Sequence, residues 1–331
     1  MSSRHTTAGA VAAGLAVAAA FTAVWLALHP PPPLLPTADV YSHLSVARHL
    51  VAGDGFVTDV TYPLSFAFPF ARRLPQPLIH RPPGYALLLA VPVAAARGDP
   101  GASLSGLRAL HAVLLAALVW LGINAAWRSG RAWSALPWLV LVAATPLLAF
   151  SVGWGEVEVP AALLLMGLWL GRRPAAAAGD RGAGLLYGLG AGFLTLLRVD
   201  LVWVPVLWWA ATAIRPAAPR GAGPPPAMAR PAGSYPAAPR RATTPRIVSA
   251  AIAAVVWLVV VAPWAIRNAA VTGDPFFALQ THAEHLKDTR AFPGYTIYRG
   301  LEPESLATSL QERPEILARI QEPGRNIKSG C

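Results

Sequence analysis

The sequence has a single cysteine, Cys331, so no disulfide can form within the chain and cysteine says nothing about its redox compartment. Charge is also scarce. Asp, Glu, Lys and Arg make up 13% of the residues, against about 25% in ordinary soluble domains. The motifs of common soluble chemistry are missing as well: there is no CxxC, no HExxH, no Asp-rich repeat, no Walker motif and no GxGxxG. These gaps remove the dedicated metal sites and nucleotide cradles that are recognisable by spacing. No cofactor is firmly predicted, and a divalent metal stays open without support from spacing.

What is present is apolar. Hydrophobic residues account for 55% of the chain, the mean hydropathy is +0.46, and Trp (12) and Pro (33) are plentiful. Trp favours membrane interfaces and Pro is tolerated in spanning helices, so this is the composition of an integral membrane protein. The net charge of +11 does not point to nucleic acid, because the arginines sit in short clusters between apolar runs. That is the pattern of basic cytoplasmic loops facing anionic lipid.

The chain divides along these lines. Residues 1–29 hold an apolar run, Ala8 to Leu28, longer than the roughly 7–15 residues of a signal peptide's apolar core and close to the ~20 needed to span. It reads as a first transmembrane helix with Arg4 on the cytoplasmic side. Residues 30–103 form a large first extracytoplasmic loop. Thr37 is placed to cap a juxtamembrane helix that ends near Gly53 or Gly55, and Gly84 to Ala96 is apolar for too short a stretch to span. That segment is expected to be interfacial or re-entrant.

Residues 104–214 are expected to form the helix bundle, with crossings at Leu104–Trp127, Ala132–Ser151, Val159–Leu170, Leu185–Leu197 and Leu201–Ile214. Residues 215–247 are a low-complexity Pro/Ala/Gly/Arg cytoplasmic linker, expected to be disordered and drawn to anionic head groups. Residues 248–266 form the last transmembrane helix, and 267–331 a polar extracytoplasmic segment. If Gly84–Ala96 does not cross, Arg128, Arg131, Arg172, Arg173 and the linker all fall inside, as the positive-inside rule requires. The expected fold is an all-α polytopic membrane protein.

The same parity gathers Asp39, His43, His80, Arg81, Glu156, Glu158, Arg198, Asp200, Arg267 and Asn268 at outer helix ends or in outer loops. Ionisable groups near a bilayer are costly and tend to mark sites. Asp39 and His43, four residues apart, can share one helix face, with Asp39 either a general base or simply an anion favoured by the helix dipole. Glu156 and Glu158 follow a Gly-Trp-Gly step at a helix start, where acids are ordinary. Arg198 either pairs with Asp200 or binds a phosphate. Arg267 either snorkels to the interface or does the same. His80 alone is uninformative, and His282 and His285 in HAEH are a weak metal signal. GLGAG, Gly188 to Gly192, reads as a packing face.

The order of these parts resembles a known family. A first membrane helix is followed by D-x-Y-x-x-x-x-x-A-R-x-L, then HRPPGYALLLA, SxGWGEVEVP, LLYGLGAGFLTLLRVD and PWAIRN. This is similar to the GT-C superfamily of polytopic glycosyltransferases, in the branch of protein O-mannosyltransferases and lipid A aminoarabinose transferases, over roughly residues 8–275. The resemblance implies a GT-C-like helix bundle that transfers a sugar, with inversion, from a polyprenyl-phosphate donor to a lipid, glycan or protein acceptor. The reaction would lie on the outer face of the cell membrane, the inner membrane of a bacterium.

It also implies that Asp39 matches the first-loop catalytic acid and Glu158 the second family acid, with Glu156 the alternative. Arg81 to Pro83 match the RPP step, and Arg198 and Asp200 the L-x-R-x-acid pattern. His43, His80 and Arg267 would then lie on the substrate. Many relatives carry two adjacent acids where this chain has Asp39-Val40, which argues against a metal there. Relatives usually continue with further membrane helices beyond PWxxRN, so the resemblance implies a C-terminally truncated member. The other classes open to this sequence are a polytopic transporter or lipid flippase, which calls for ionisable groups near helix midpoints, and an inactive truncated relative.

Overall fold

The computed structural model describes residues 2–31, 38–61, 73–79, 81–130, 132–178, 181–204, 206–207, 244–277 and 311. Thr37, His80, Arg131, His282, His285, most of the linker and most of the C-terminal segment lie outside the described residues. The described chain is helical almost throughout, as an all-α membrane protein requires.

The first helix, α1, spans Ser2–Leu28, and α2 spans Ala38–Ala52, stopping at Gly53, whose φ of +91° closes the helix in the left-handed region. A two-residue antiparallel ribbon follows, β1 (Val57–Thr58) against β2 (Gln76–Pro77), with Val57 opposite Pro77 and Thr58 opposite Gln76. Then come α3 (Gly84–Ala95), α4 (Pro100–Arg128), α5 (Ala135–Ala144), α6 (Pro146–Trp154), α7 (Glu158–Ala178), α8 (Arg181–Leu197) and α9 (Thr244–Thr272).

Among the described residues, three helices are long and apolar enough to cross a membrane, Gly9–Leu28, Pro100–Arg128 and Val248–Thr272. The segment expected to cross over Ala132–Ser151 is a short 3₁₀ turn and two helices, α5 and α6, which together are long and apolar enough for a span but are bent by 65°. The cause is Thr145-Pro146: the ring displaces Thr145 from the helical region to φ −89°, ψ 103°, and Pro146 has no N–H to continue the ladder. The apolar parts of α7 and α8, Glu158–Gly171 and Arg181–Leu197, are shorter than the three long spans. The last helix runs past its expected end at Ile266 to Thr272, so Arg267 and Asn268 are inside it rather than beyond it.

Packing fixes the directions. Gly14, midway along α1, lies against Trp127 near the end of α4, and the later residues Ala18 and Trp25 join a cluster with Leu115, Val119 and Ile123 further back along α4, so α1 and α4 are antiparallel. Gly122 of α4 meets Trp138 of α5 while Gly155, after α6, meets Leu107, so that pair also runs against α4. The α8–α9 pair is different. Gly184, Gly188 and Gly192 lie against Ser249, Ala253 and Val260 in the same order, so α8 and α9 are parallel. Lipid offers no hydrophobic force between helices, and close backbone approach at small residues takes its place. The packing face expected at GLGAG is therefore real, and it extends one turn upstream to Gly184.

These directions put the ends of α1, α8 and α9 and the starts of α3, α4 and α7 together. Gly84, which opens α3, sits against the Leu196 carbonyl: a Cβ there would lie 2.5 Å from that oxygen. Val46, Leu78, Ala86, Leu196 and Trp264 form one apolar cluster at this level, which joins α2, the residue after β2, α3, α8 and α9. Arg128 ends α4 at the opposite end of the bundle, and Arg172 and Arg173 lie in the second half of α7, which runs on to Ala178 rather than stopping near Leu170.

Candidate functional site

The end of the bundle that carries the first loop holds a continuous line of polar side chains. It begins at Asp39 in the first turn of α2, where the dipole favours a carboxylate. Arg81, just before α3, donates from Nη2 to Asp39 Oδ2. His43 lies one turn below Asp39, but it is buried and turns its ring edge-on to Tyr85, with centroids 5.0 Å apart. Burial first, then the Arg81 charge, lowers its pKa to about 3 against the opposing pull of Asp39. His43 is therefore a neutral packing partner at any working pH, placed beneath the Asp39–Arg81 pair.

Tyr85 is the centre of the line, a role that spacing along the chain does not reveal. Its hydroxyl lies 2.7 Å from His111 Nε2 and donates to the Gly155 carbonyl. A phenol has one proton and a carbonyl only accepts, so His111 must be the Nε2–H tautomer that donates to Tyr85. His111 Nδ1, buried without a partner, is then the bare nitrogen. Burial, followed by the nearby charges of Glu156 and Glu158, holds the Tyr85 phenol well above its usual range, so it remains a donor. Three elements meet at this one oxygen: α3, α4 and the turn after α6.

That turn positions the second set of acids. Gly155 ends α6 with φ +73°, a left-handed cap that a side chain would resist, and Glu156 follows, buried to 7% exposure. Glu158 opens α7 in its first turn. Opposite it, Arg198 leaves α8 in an extended conformation. Arg198 Nη1 donates to Glu158 at 2.7 Å, while Nε and Nη2 donate to the two oxygens of Asp200 at 3.1 and 3.0 Å. The Asp200 pairing foreseen from sequence is there, and Glu158 is a second partner that spacing did not give.

Arg267 sits one turn from the end of α9, inside the helix. Its guanidinium donates to the carbonyls of Leu78 at 2.6 Å and Phe56 at 3.0 Å, and lies 4.9 Å from the Trp264 ring. The Leu78 N–H bonds the same Phe56 carbonyl at 2.9 Å. Arg267 thus holds the first loop onto the last helix. Its neighbour Asn268, fully buried, donates to the Phe277 carbonyl at 2.8 Å and caps the chain beyond α9.

A cavity of about 640 Å³ has a lining that reaches Pro160 and Leu197, which are close in the chain to Glu158 and Arg198. Its walls are almost wholly apolar: Pro160 and Leu164 of α7, Leu88 of α3, and Phe193 and Leu197 of α8 mark the polar end, and Gly171 and Ala183 the other. It follows the α7–α8 seam for most of the length of those helices. Among the described residues, no three His, Cys, Asp or Glu side chains are grouped so as to hold a metal ion. No family model, curated protein or solved structure matches this chain.

Proposed function

We propose that this chain is a membrane glycosyltransferase of the GT-C type, which moves a sugar from a polyprenyl-phosphate donor to an acceptor hydroxyl on the outer face of the cell membrane, in a bacterium the inner membrane. One observation carries the reading: two acid–arginine pairs, Asp39–Arg81 and Glu158–Arg198, share one end of a helix bundle with a long apolar cavity whose lining reaches Pro160 and Leu197, close in the chain to the second pair. A lipid-linked sugar phosphate has three parts with the same order of chemistry: a polar sugar, an anionic phosphate and an apolar tail.

In this reading the prenyl tail lies along the α7–α8 seam and the phosphate stands near Arg198 and Arg81. The Asp39 carboxylate takes the proton of the acceptor hydroxyl. The hydroxyl oxygen bonds to the anomeric carbon as the bond from that carbon to the phosphate oxygen breaks, and the electron pair leaves on the phosphate, with inversion. Fixed arginines facing that developing charge are the largest contribution such a site makes. Arg267 is assigned instead to holding the first loop in place, because its guanidinium is spent on two loop carbonyls.

The test is an assay of membranes carrying the protein with a panel of labelled polyprenyl-phosphate sugars, wild type against Asp39→Asn. Transfer by the wild type and its loss in the variant supports the reading. Full transfer by Asp39→Asn removes Asp39 from the role of base, and no transfer from any donor by the wild type removes the reading itself.

A further inference from the structure

The α7–α8 seam is bordered by two kinds of glycine. Gly184, Gly188 and Gly192 of α8 are pressed against α9, and a Cβ on any of them would collide with it. Gly167 and Gly171 of α7 line the cavity instead, and a Cβ on either would have nothing within 4 Å. Glycine inside a helix is destabilising relative to alanine. Close helix packing accounts for the first three, but not for these two. What they leave is room: one turn apart, they remove the side chain from two successive turns of the α7 wall.

The cavity has a measurable length. At one end Leu197 immediately precedes Arg198, and Pro160 is two residues past Glu158; at the other end is Gly171. From Pro160 to Gly171 the helix rises about 16 Å, and from Pro160 to Gly167 about 10 Å. An extended chain of singly bonded atoms gains about 4.5–5 Å over the four chain carbons of an isoprene unit. The full wall therefore matches three to four units, and the part before Gly167 matches two. In lipid no hydrophobic force draws a tail into a groove, so it gains only the packing contacts that the wall supplies. Those contacts stop where the wall stops.

Resting on the glycosyltransferase reading above, we infer that the donor lipid is recognised only over its first three to four isoprene units, and that Gly167 and Gly171 set this depth. The cavity is partly open, so the units beyond remain in the bilayer. Gly167 and Gly171 are then residues that determine specificity for the lipid, separate from the acids and arginines that face the sugar phosphate.

The test uses the full chain in nanodiscs. Binding of geranyl, farnesyl, geranylgeranyl and undecaprenyl phosphate (two, three, four and eleven units) is read by native mass spectrometry, with hexadecyl phosphate as an unbranched arm. Wild type is expected to bind geranylgeranyl phosphate roughly tenfold more tightly than geranyl phosphate, and undecaprenyl phosphate no more tightly than geranylgeranyl phosphate. Gly171→Leu should level off at farnesyl phosphate and Gly167→Leu at geranyl phosphate, so that Gly167→Leu loses that whole tenfold. Both leucines enter open space and favour the helix, so Tm should not fall. Gly9→Leu on α1, where nothing lies within 4 Å of the added carbon, is the control and should keep the wild-type profile.

Affinity that keeps rising beyond geranylgeranyl phosphate, or a wild-type profile in both cavity variants, overturns the inference and leaves the donor assignment standing. A lower Tm in those variants would make the two glycines packing residues, and overturns it too. So does hexadecyl phosphate binding as tightly as geranylgeranyl phosphate and losing as much in Gly167→Leu, which would put any lipid chain in the groove. If wild type binds none of the polyprenyl phosphates, the donor assignment falls and takes the inference with it.

Discussion

Tyr85 and His111, 26 residues apart, are joined by a 2.7 Å hydrogen bond inside the protein, and the same phenol donates to the Gly155 carbonyl. Tyr85→Phe keeps the ring against His43 but leaves two buried polar partners unpaired. Leaving such groups unsatisfied costs about 1–3 kcal/mol. The expected outcome is a lower Tm for the detergent-solubilised protein, and a loss of transfer beyond that expected from the folded fraction, because Glu156 and Glu158 lie just after Gly155. An unchanged Tm would mean that the phenol does not bear on the turn.

Arg198 binds three carboxylate oxygens with its planar fork, and lysine cannot reproduce that geometry. Arg198→Lys is therefore expected to behave almost as badly as Arg198→Gln, each lowering transfer by roughly a hundredfold if the guanidinium also faces the leaving phosphate. Initial rates at saturating donor decide the point. Near-full activity with lysine would reduce Arg198 to a point charge.

These pairings mark the limit of what could be read from the residues alone. The long apolar runs of α1, α4 and α9 were legible because a bilayer fixes their length, and the stop of α2 was legible because Gly53 follows it. The positive-inside rule, applied to Arg128, Arg131, Arg172, Arg173 and the linker, gave the parity that gathers Asp39, Arg81, Glu158 and Arg198. Partners across the fold were not legible: nothing in an apolar run says that Tyr85 meets His111, or that Arg198 reaches back to Glu158. The apolar run from Ala132 to Ser151 hid the break at Thr145-Pro146. Arg267 and Asn268 looked like the end of a helix because their partners, the carbonyls of Leu78, Phe56 and Phe277, are far away in sequence.

The α8–α9 contact gives a sharp structural prediction. A Cβ on Gly188 would lie 2.5 Å from the Ala253 carbonyl oxygen and 2.8 Å from the Val256 side chain, in backbone that cannot move away cheaply. Gly188→Val is expected to destabilise the bundle by about 1–3 kcal/mol or more, measured as lost Tm and lower yield of monodisperse protein. Gly9→Ala, where nothing lies within 4 Å of the added carbon, is the matched control and should melt like wild type.

Arg267 makes a prediction about mobility. With Arg267→Met the apolar stem still packs on Trp264, but the bonds to Leu78 and Phe56 are gone. The Leu78 amide, bonded to Phe56, should exchange with deuterium faster, while amides in the middle of α4 should not change. Uniform acceleration would instead indicate global destabilisation.

His49 offers a pH dependence whose sign is fixed by its partners. Its Nδ1 lies 2.8 Å from Asp54 and its Nε2 2.9 Å from Asp59, and both partners are carboxylate oxygens. Both nitrogens must carry protons to make both bonds, so the bridging form is the imidazolium. The hydrogen bond to Asp54 above all, with Asp59 adding and partial burial opposing, raises its pKa above 6.5. Asp59 also accepts from Ser45 Oγ and returns its own N–H to that oxygen at 2.9 Å, so the bridge fastens α2 to the residues after β1. A group with a raised folded pKa contributes stability that is complete below its unfolded value and is lost as pH climbs through the folded one. The first loop should therefore be best protected from proteolysis and hydrogen exchange below pH 6.5, and loosen as pH rises past the shifted value. His49→Gln should remove that dependence and hold protection at the high-pH level throughout. A variant that still loosened on the same titration would place the sensitive group elsewhere.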